Sequence, residues 1–179
     1  MKKYELTEET VTVYGKTLYR IRAVRDFGSV KTGEFGGYIE KEENLSHFDN
    51  AWVCGDAWVF GNARVYDDAW VFGNARVCGD AKVYGNARVY DDAWVSGNAE
   101  VFNTRHFFVQ GPIGSRNGFI TFYRTKDNTV EVRCGCFSGS LQKFVNQVEE
   151  THGGSRYEKE YKLAAELAKV CIRLEGESR

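Results

Sequence analysis

From Asn50 onward the chain sets apolar and polar positions in a fixed six-residue frame. Divided in sixes it reads NAWVCG, DAWVFG, NARVYD, DAWVFG, NARVCG, DAKVYG, NARVYD, DAWVSG and NAEVFN, ending at Asn103. The second position is always alanine (Ala51 through Ala99) and the fourth always valine (Val53 through Val101). Two positions apart on an extended chain, they share one face, and the Trp, Arg, Lys or Glu between them points the other way. The Gly-Asn, Gly-Asp or Asp-Asp that joins successive hexads is turn chemistry. The pattern predicts very short strands, each followed by a corner, which bury their Ala–Val face only by coiling into a solenoid. A solenoid this short needs capped ends or neighbouring subunits, and the flanking segments must supply them.

A branched aliphatic residue followed by a small one four positions later resembles the left-handed parallel β-helix family, in which three hexads make one triangular turn. The resemblance covers residues 50–103 and implies three coils and, as is usual in that family, a homotrimer. One coil apart, Trp52, Trp70 and Arg88 then stack on one face, Trp58, Arg76 and Trp94 on the second, and Arg64, Lys82 and Glu100 on the third. Tyr66, Tyr84 and Phe102 form an aromatic ladder beside the third. Such rows pack a neighbouring subunit or the C-terminal helix; the sharper alternative is a stacking surface for a planar ligand. "NARVYDDAWV" occurs at 62–71 and again at 86–95. The copies lie four hexads apart, so they fall on different faces and read as duplicated scaffold.

Before the repeat, strands are expected at 10–14 and 17–23, joined at Tyr14-Gly15-Lys16. Ile39 and Leu45 fall in the alanine register of the later hexads and His47 in a valine slot, so residues 1–49 read as an N-terminal β cap and irregular first coil. After the repeat, a strand at 106–110, a glycine-rich loop and strands at 118–124 and 129–134 are expected. Ser138 or Ser140 then caps a helix whose stripe is Leu141, Phe144, Val145 and Val148 and which Gly153 ends. A second helix, 156–174, carries Tyr157, Tyr161, Ala164, Ala168 and Cys171 on one face, with Leu163, Leu167, Val170 and Leu174 beside it. The fold class is therefore mainly β: a left-handed parallel β-helix (50–103) between an N-terminal β cap (1–49) and a C-terminal α+β domain (104–179). Taken together, "GEFGGYIEKEENLSH", the hexads and "GPIGSR…CGCFSGSLQKF…THGG" are similar to hexapeptide-repeat proteins encoded by phages and prophages, often labelled transferase-like. That resemblance implies a mobile-element origin.

Charge removes some function classes. With 24 basic and 25 acidic residues the net charge is -1, which gives no reason to expect general nucleic-acid or membrane binding. No apolar run approaches the roughly 18 residues of a membrane span, and "MKKYELTEET" lacks a signal-peptide core. A cytoplasmic protein is expected, in a bacterial host cell if phage-encoded. Cys54, Cys78, Cys134, Cys136 and Cys171 are odd in number and lack framework spacing, which argues for reduced thiols and no metal site. No cofactor is expected.

Two stretches carry the candidate chemistry. In "GPIGSR" (111–116), Gly111 and Gly114 let backbone N–H groups approach an anion, and Ser115 and Arg116 add a hydroxyl and a guanidinium fork. In "CGCFSGS" (134–140), Cys136, Phe137, Ser138, Gly139 and Ser140 lead a strand into a helix N-terminus, where a phosphate can sit. The bland alternative is a compact domain whose turns need glycine, with Arg116 paired to an acidic neighbour. Catalysis has fewer supports. The histidines are His47, His106 and His152; His106, at the junction of coil and tail, is the candidate base for an acyltransferase. His47 reads as structural, and helix-dipole placement accounts for His152. Cys136 at a helix N-terminus is a candidate thiolate with no histidine at a diagnostic spacing. The expected function is a non-catalytic binding protein: a trimeric scaffold whose C-terminal domains sequester a small anionic, nucleotide-like ligand. In a phage setting, that ligand would be a host anti-phage immune signal such as a cyclic nucleotide or an ADP-ribose derivative. The alternatives are a hexapeptide-repeat acyltransferase using His106 and an interaction protein that blocks a host macromolecule.

Overall fold

The computed structural model describes residues 2–175. Met1 and residues 176–179, the outer ends of the first and last expected segments, lie outside the described residues.

The chain opens with an antiparallel hairpin, β1 (Tyr4–Val13) and β2 (Lys16–Ala23), turning at Tyr14 and Gly15. The first strand is longer than expected because Tyr4, Glu5 and Leu6 pair with Ala23, Arg22 and Ile21. β3 (Phe35–Ile39) pairs antiparallel with β2 and parallel with β5 (Trp58–Val59), so it ties the hairpin to the first coil. Its two glycines are set by that approach: a Cβ on Gly36 would lie 2.6 Å from the Val53 carbonyl oxygen, and one on Gly37 2.6 Å from that of Ala57.

The hexads form nine two-residue strands, from β4 (Trp52–Val53) to β12 (Glu100–Val101). They stack in three parallel columns, among them β5 with β8 (Arg76–Val77) and β11 (Trp94–Val95). Coil-to-coil backbone bonds, such as the Trp58 amide to the Ala75 carbonyl at 2.9 Å, satisfy the inner chain. Every alanine and valine of the frame is at most 1% exposed, as the alternation requires. The corners lie at positive φ, held by glycine at Gly55, Gly61, Gly73, Gly79, Gly85 and Gly97 and by Asp67 and Asp91. The three exterior rows stack as read from the sequence, with Trp70 beside Trp52 and Arg88, and Arg76 between Trp58 and Trp94. The tyrosine rings of the aromatic ladder, Tyr66 and Tyr84, stack with centroids 4.8 Å apart and planes nearly parallel.

The first coil corrects the expected register. Ile39 lies beside Val59 and Leu45 beside Val65, so both occupy the valine slot and not the alanine slot. The corner after Leu45, with Asp49 at φ 55°, holds two residues more than the later ones, and that insertion shifts the frame. His47 therefore leaves the coil: its Nδ1 accepts the Lys3 amide (3.2 Å) and its ring stacks on Tyr4. With this coil the solenoid has about four turns, and the chain is mainly β with two C-terminal helices.

Both solenoid ends are closed. At the first, the buried Lys3 Nζ donates to the Ala51 carbonyl (2.6 Å), the Tyr4 hydroxyl donates to that of Leu45 (2.8 Å), and Phe27 covers Trp52. At the last, an antiparallel sheet of β13 (Phe107–Ile113), β14 (Gly118–Arg124), β15 (Val130–Cys134) and β16 (Phe137–Ser140) docks through β14. The Trp94 amide donates to Thr121 Oγ1 (2.9 Å), and Arg124 lies over Phe102 while reaching the Glu100 carboxylate.

Two expected loops prove to be strand. Gly111, Pro112 and Ile113 continue β13, with a cis Gly111–Pro112 bond, so the turn is confined to 114–117. Phe137–Ser140 is a fourth strand paired with β15, so Cys136 sits in a β-turn and not at a helix N-terminus. α1 (Leu141–His152) is capped by Ser140, whose Oγ accepts the Lys143 amide. α2 (Arg156–Cys171) ends three residues before the expected 174. Phe144, Val148, Tyr161, Ala164 and Ala168 pack on Ile120, Phe122 and Val132, whereas Leu163, Leu167 and Val170 face outward.

Candidate functional site

The second face of the solenoid and the C-terminal unit flank a half-open cavity of about 550 Å³. The solenoid supplies Arg76 and Trp94, with Asn74 and Asp92 at the corners preceding them. Six-residue spacing fixes this wall, because it stacks Trp58, Arg76 and Trp94 in one column with their side chains outward. The Arg76 guanidinium lies 4.7 Å from the Trp58 ring and 5.5 Å from that of Trp94. Arg133, from β15, sits 3.8 Å over the same Trp94 ring. The indole N–H donates to Cys78 Sγ at 3.4 Å, and burial pushes that thiol's pKa up. Tyr14, at the tip of the N-terminal hairpin, also stacks on Trp94. This aromatic row is therefore covered by the hairpin and by Arg133, not by a C-terminal helix.

The opposite walls come from two turns and two helices. The β13–β14 turn brings Ser115, Arg116 and, just beyond it, Phe119; the β15–β16 turn brings Cys134, Cys136 and Phe137. α1 presents Phe144, Gln147, Thr151 and His152, and α2 presents Tyr161. Tyr161 stands edge-on to Phe144 and 5.6 Å from the His152 ring. Burial pushes the Tyr161 pKa up to about 12, so its hydroxyl stays protonated near neutral pH. Burial likewise raises the Cys134 thiol, which keeps it from acting as a thiolate.

Of the nine residues expected from the sequence, Ser115, Arg116, Cys136 and Phe137 line this cavity, and Gly111, Gly114, Ser138, Gly139 and Ser140 do not. The reasons are local. Gly111 is pressed against the Phe119 ring, where a Cβ would lie 2.4 Å from Cδ1. The Gly114 amide, expected to cradle an anion, donates to Glu160 Oε2 (2.9 Å), so a carboxylate of this chain holds that place. Ser138 and Gly139 are committed to strand pairing opposite Arg133 and Val132, and Ser140 to its cap. Arg116 has no carboxylate partner among the described residues, contrary to the bland alternative.

Sequence reasoning missed Arg76, Trp94, Phe119, Gln147, Thr151, His152 and Tyr161 as neighbours. A weak signal existed in Gln147 and Thr151, which are four apart on one helix face and hydrogen-bonded to each other. His106 lies elsewhere. It is 7% exposed, its Nδ1 accepts the Phe102 amide, and its ring stands edge-on to Phe102. Burial, then the nearby Arg124, lowers its pKa to about 4. A base sealed in this way cannot reach an acyl acceptor in the cavity.

Residues 63–79 and 81–97 each match the family described as YdcK Beta solenoid repeat. Both segments lie within the hexads, so the likeness supports a β-solenoid repeat protein and concerns the scaffold. No curated protein matches the chain. Among the described residues, no group of three or more His, Cys, Asp or Glu is placed to hold a metal, and no helix is long and apolar enough to cross a membrane.

Proposed function

We propose that this protein is a non-catalytic binding protein that captures a small anionic, nucleotide-like ligand in the cavity between solenoid and C-terminal unit. One observation carries the reading: Arg76 and Arg116, neither paired with a carboxylate among the described residues, enter the same ring-walled cavity. Arg76 is half-buried and Arg116 exposed, and a guanidinium binds phosphate or carboxylate through charge-assisted hydrogen bonds. Aromatic walls suit a base, whose stacking is worth roughly 1–3 kcal/mol, and about 550 Å³ falls within the usual range of small-molecule sites. The resemblance to phage-encoded proteins supports the finer version: a cytoplasmic, homotrimeric, left-handed β-helix that sequesters a nucleotide-type immune signal of the host.

Calorimetric titration with a panel of nucleotides tests the reading through Arg116→Ala. Loss of one charge-assisted contact, about 1.5–3 kcal/mol, predicts a tenfold to hundredfold weaker affinity. Binding unchanged in the variant, or no nucleotide bound by the parent protein, contradicts it.

A further inference from the structure

We infer that the ligand carries two separated anionic groups on a framework with at least one planar ring, as in a linear or cyclic dinucleotide or a nucleoside diphosphate joined to a second unit. This rests on the capture reading above and narrows it. Arg76 belongs to the solenoid wall, and its guanidinium lies between the Trp58 and Trp94 rings. Arg133 reinforces that wall, since it lies over Trp94 and its buried Nε has no hydrogen-bond partner. Both guanidiniums act on the Cys78 thiol beside the indole, which places them in one electrostatic neighbourhood. Arg116 enters from the tip of the β13–β14 turn, close enough to Tyr161 to oppose the rise in its pKa. The cavity therefore has one guanidinium on the solenoid wall and another on the C-terminal unit, where Glu160 holds the base of the Arg116 turn through the Gly114 amide.

The placement of the charged groups points the same way. Asp92 is the acidic side chain on the lining, and Asn74 Nδ2 donates to it at 3.3 Å. On the lining two guanidiniums, Arg76 and Arg116, stand on different walls, so a single anionic group held at one of them leaves the other unmatched. Two phosphodiester-type groups would meet both, one at each wall, with the ring against Phe119 or Phe137. Asp92 is placed to accept from a sugar hydroxyl, so its charge does not oppose such a ligand.

The test uses the whole chain and two probe series, the four common 5′-mononucleotides and the matching 5′-phosphorylated dinucleotides, titrated by calorimetry. At least one dinucleotide is expected to bind tenfold or more tightly than its mononucleotide. Arg76→Gln and Arg116→Ala should each remove most of that preference, and Arg76→Lys, which keeps the charge, should retain part of it. Thermal melts establish that each variant is folded. If a mononucleotide binds in an Arg116-dependent way but no dinucleotide binds more tightly, the capture reading stands and the two-anion inference is overturned. An Arg76→Gln variant that keeps the full preference overturns it as well. If neither series binds the parent protein, the capture reading fails and this inference falls with it.

Discussion

The first position of each hexad alternates strictly between asparagine and aspartate, and the structure gives the reason. An odd number of hexads makes one coil, so the alternation sets Asn50, Asn62 and Asn74 each beside an Asp of the next coil. Asn50 donates to Asp68 (2.8 Å), Asn62 to Asp80 (3.0 Å) and Asn74 to Asp92 (3.3 Å). The duplicated "NARVYDDAWV" is displaced by an even number of hexads, which preserves this phase while changing the face. Asn62→Asp would place two carboxylates side by side. It should cost roughly 0.5–1 kcal/mol at neutral pH, with the deficit in melting temperature shrinking near pH 4 as the pair shares a proton. An equal deficit at both pH values would contradict this account. Buried His106 makes a second prediction at the same scale. Its folded pKa of about 4 lies below the ordinary 6.5, so the unfolded chain binds more protons between those values. Stability contributed by the neutral ring is complete above pH 6.5 and is lost as pH falls toward 4, by roughly 3 kcal/mol in all. Urea titrations should show that limb flattened in His106→Gln; an unaltered limb would assign the acid sensitivity elsewhere.

At the scale of elements, the hexad strands were legible because Ala and Val recur without interruption and every one of them is buried. Ile39 and Leu45 were misplaced because a two-residue corner insertion leaves no mark in a period count, only in pairing with Val59 and Val65. Gly111–Ile113 and Phe137–Ser140 read as loops because their small residues and proline lack strand propensity, yet pairing with neighbouring strands overrides it. The β13–β14 turn shows how closely one element is fitted to another. Gly114 has φ +72°, and a Cβ there would lie 1.9 Å from the Tyr161 hydroxyl oxygen. Gly114→Ala should therefore lower stability by roughly 1–3 kcal/mol through strain and displacement of Tyr161. Adding Tyr161→Phe, which removes the clashing oxygen, should recover part of that loss in a thermal melt. A double variant no more stable than Gly114→Ala would contradict a role for the hydroxyl and leave the loss to backbone strain and to the Tyr161 ring carbons, which would lie 2.3 and 2.9 Å from that Cβ.

At the scale of the molecule, the solenoid is both scaffold and wall. Arg76 and Trp94 look like ordinary exterior positions in the sequence, because what makes them part of a cavity arrives from distant segments: Arg133 over the indole, Thr121 on the Trp94 amide, and the two turns opposite. Of the site, then, the sequence exposed the turn residues Ser115, Arg116, Cys136 and Phe137, while the solenoid and helix residues needed the packing. The cavity exists only where the coil and the C-terminal unit meet, so its ligand should be lost when either wall is altered. Mass spectrometry of small molecules released on denaturing the purified protein tests this most directly. A phosphate-bearing species is expected, released in near-stoichiometric amount from the parent protein and absent from a folded Arg76→Gln/Arg116→Ala double variant. Release of the same species from both proteins, or of no anionic species from the parent, would contradict it.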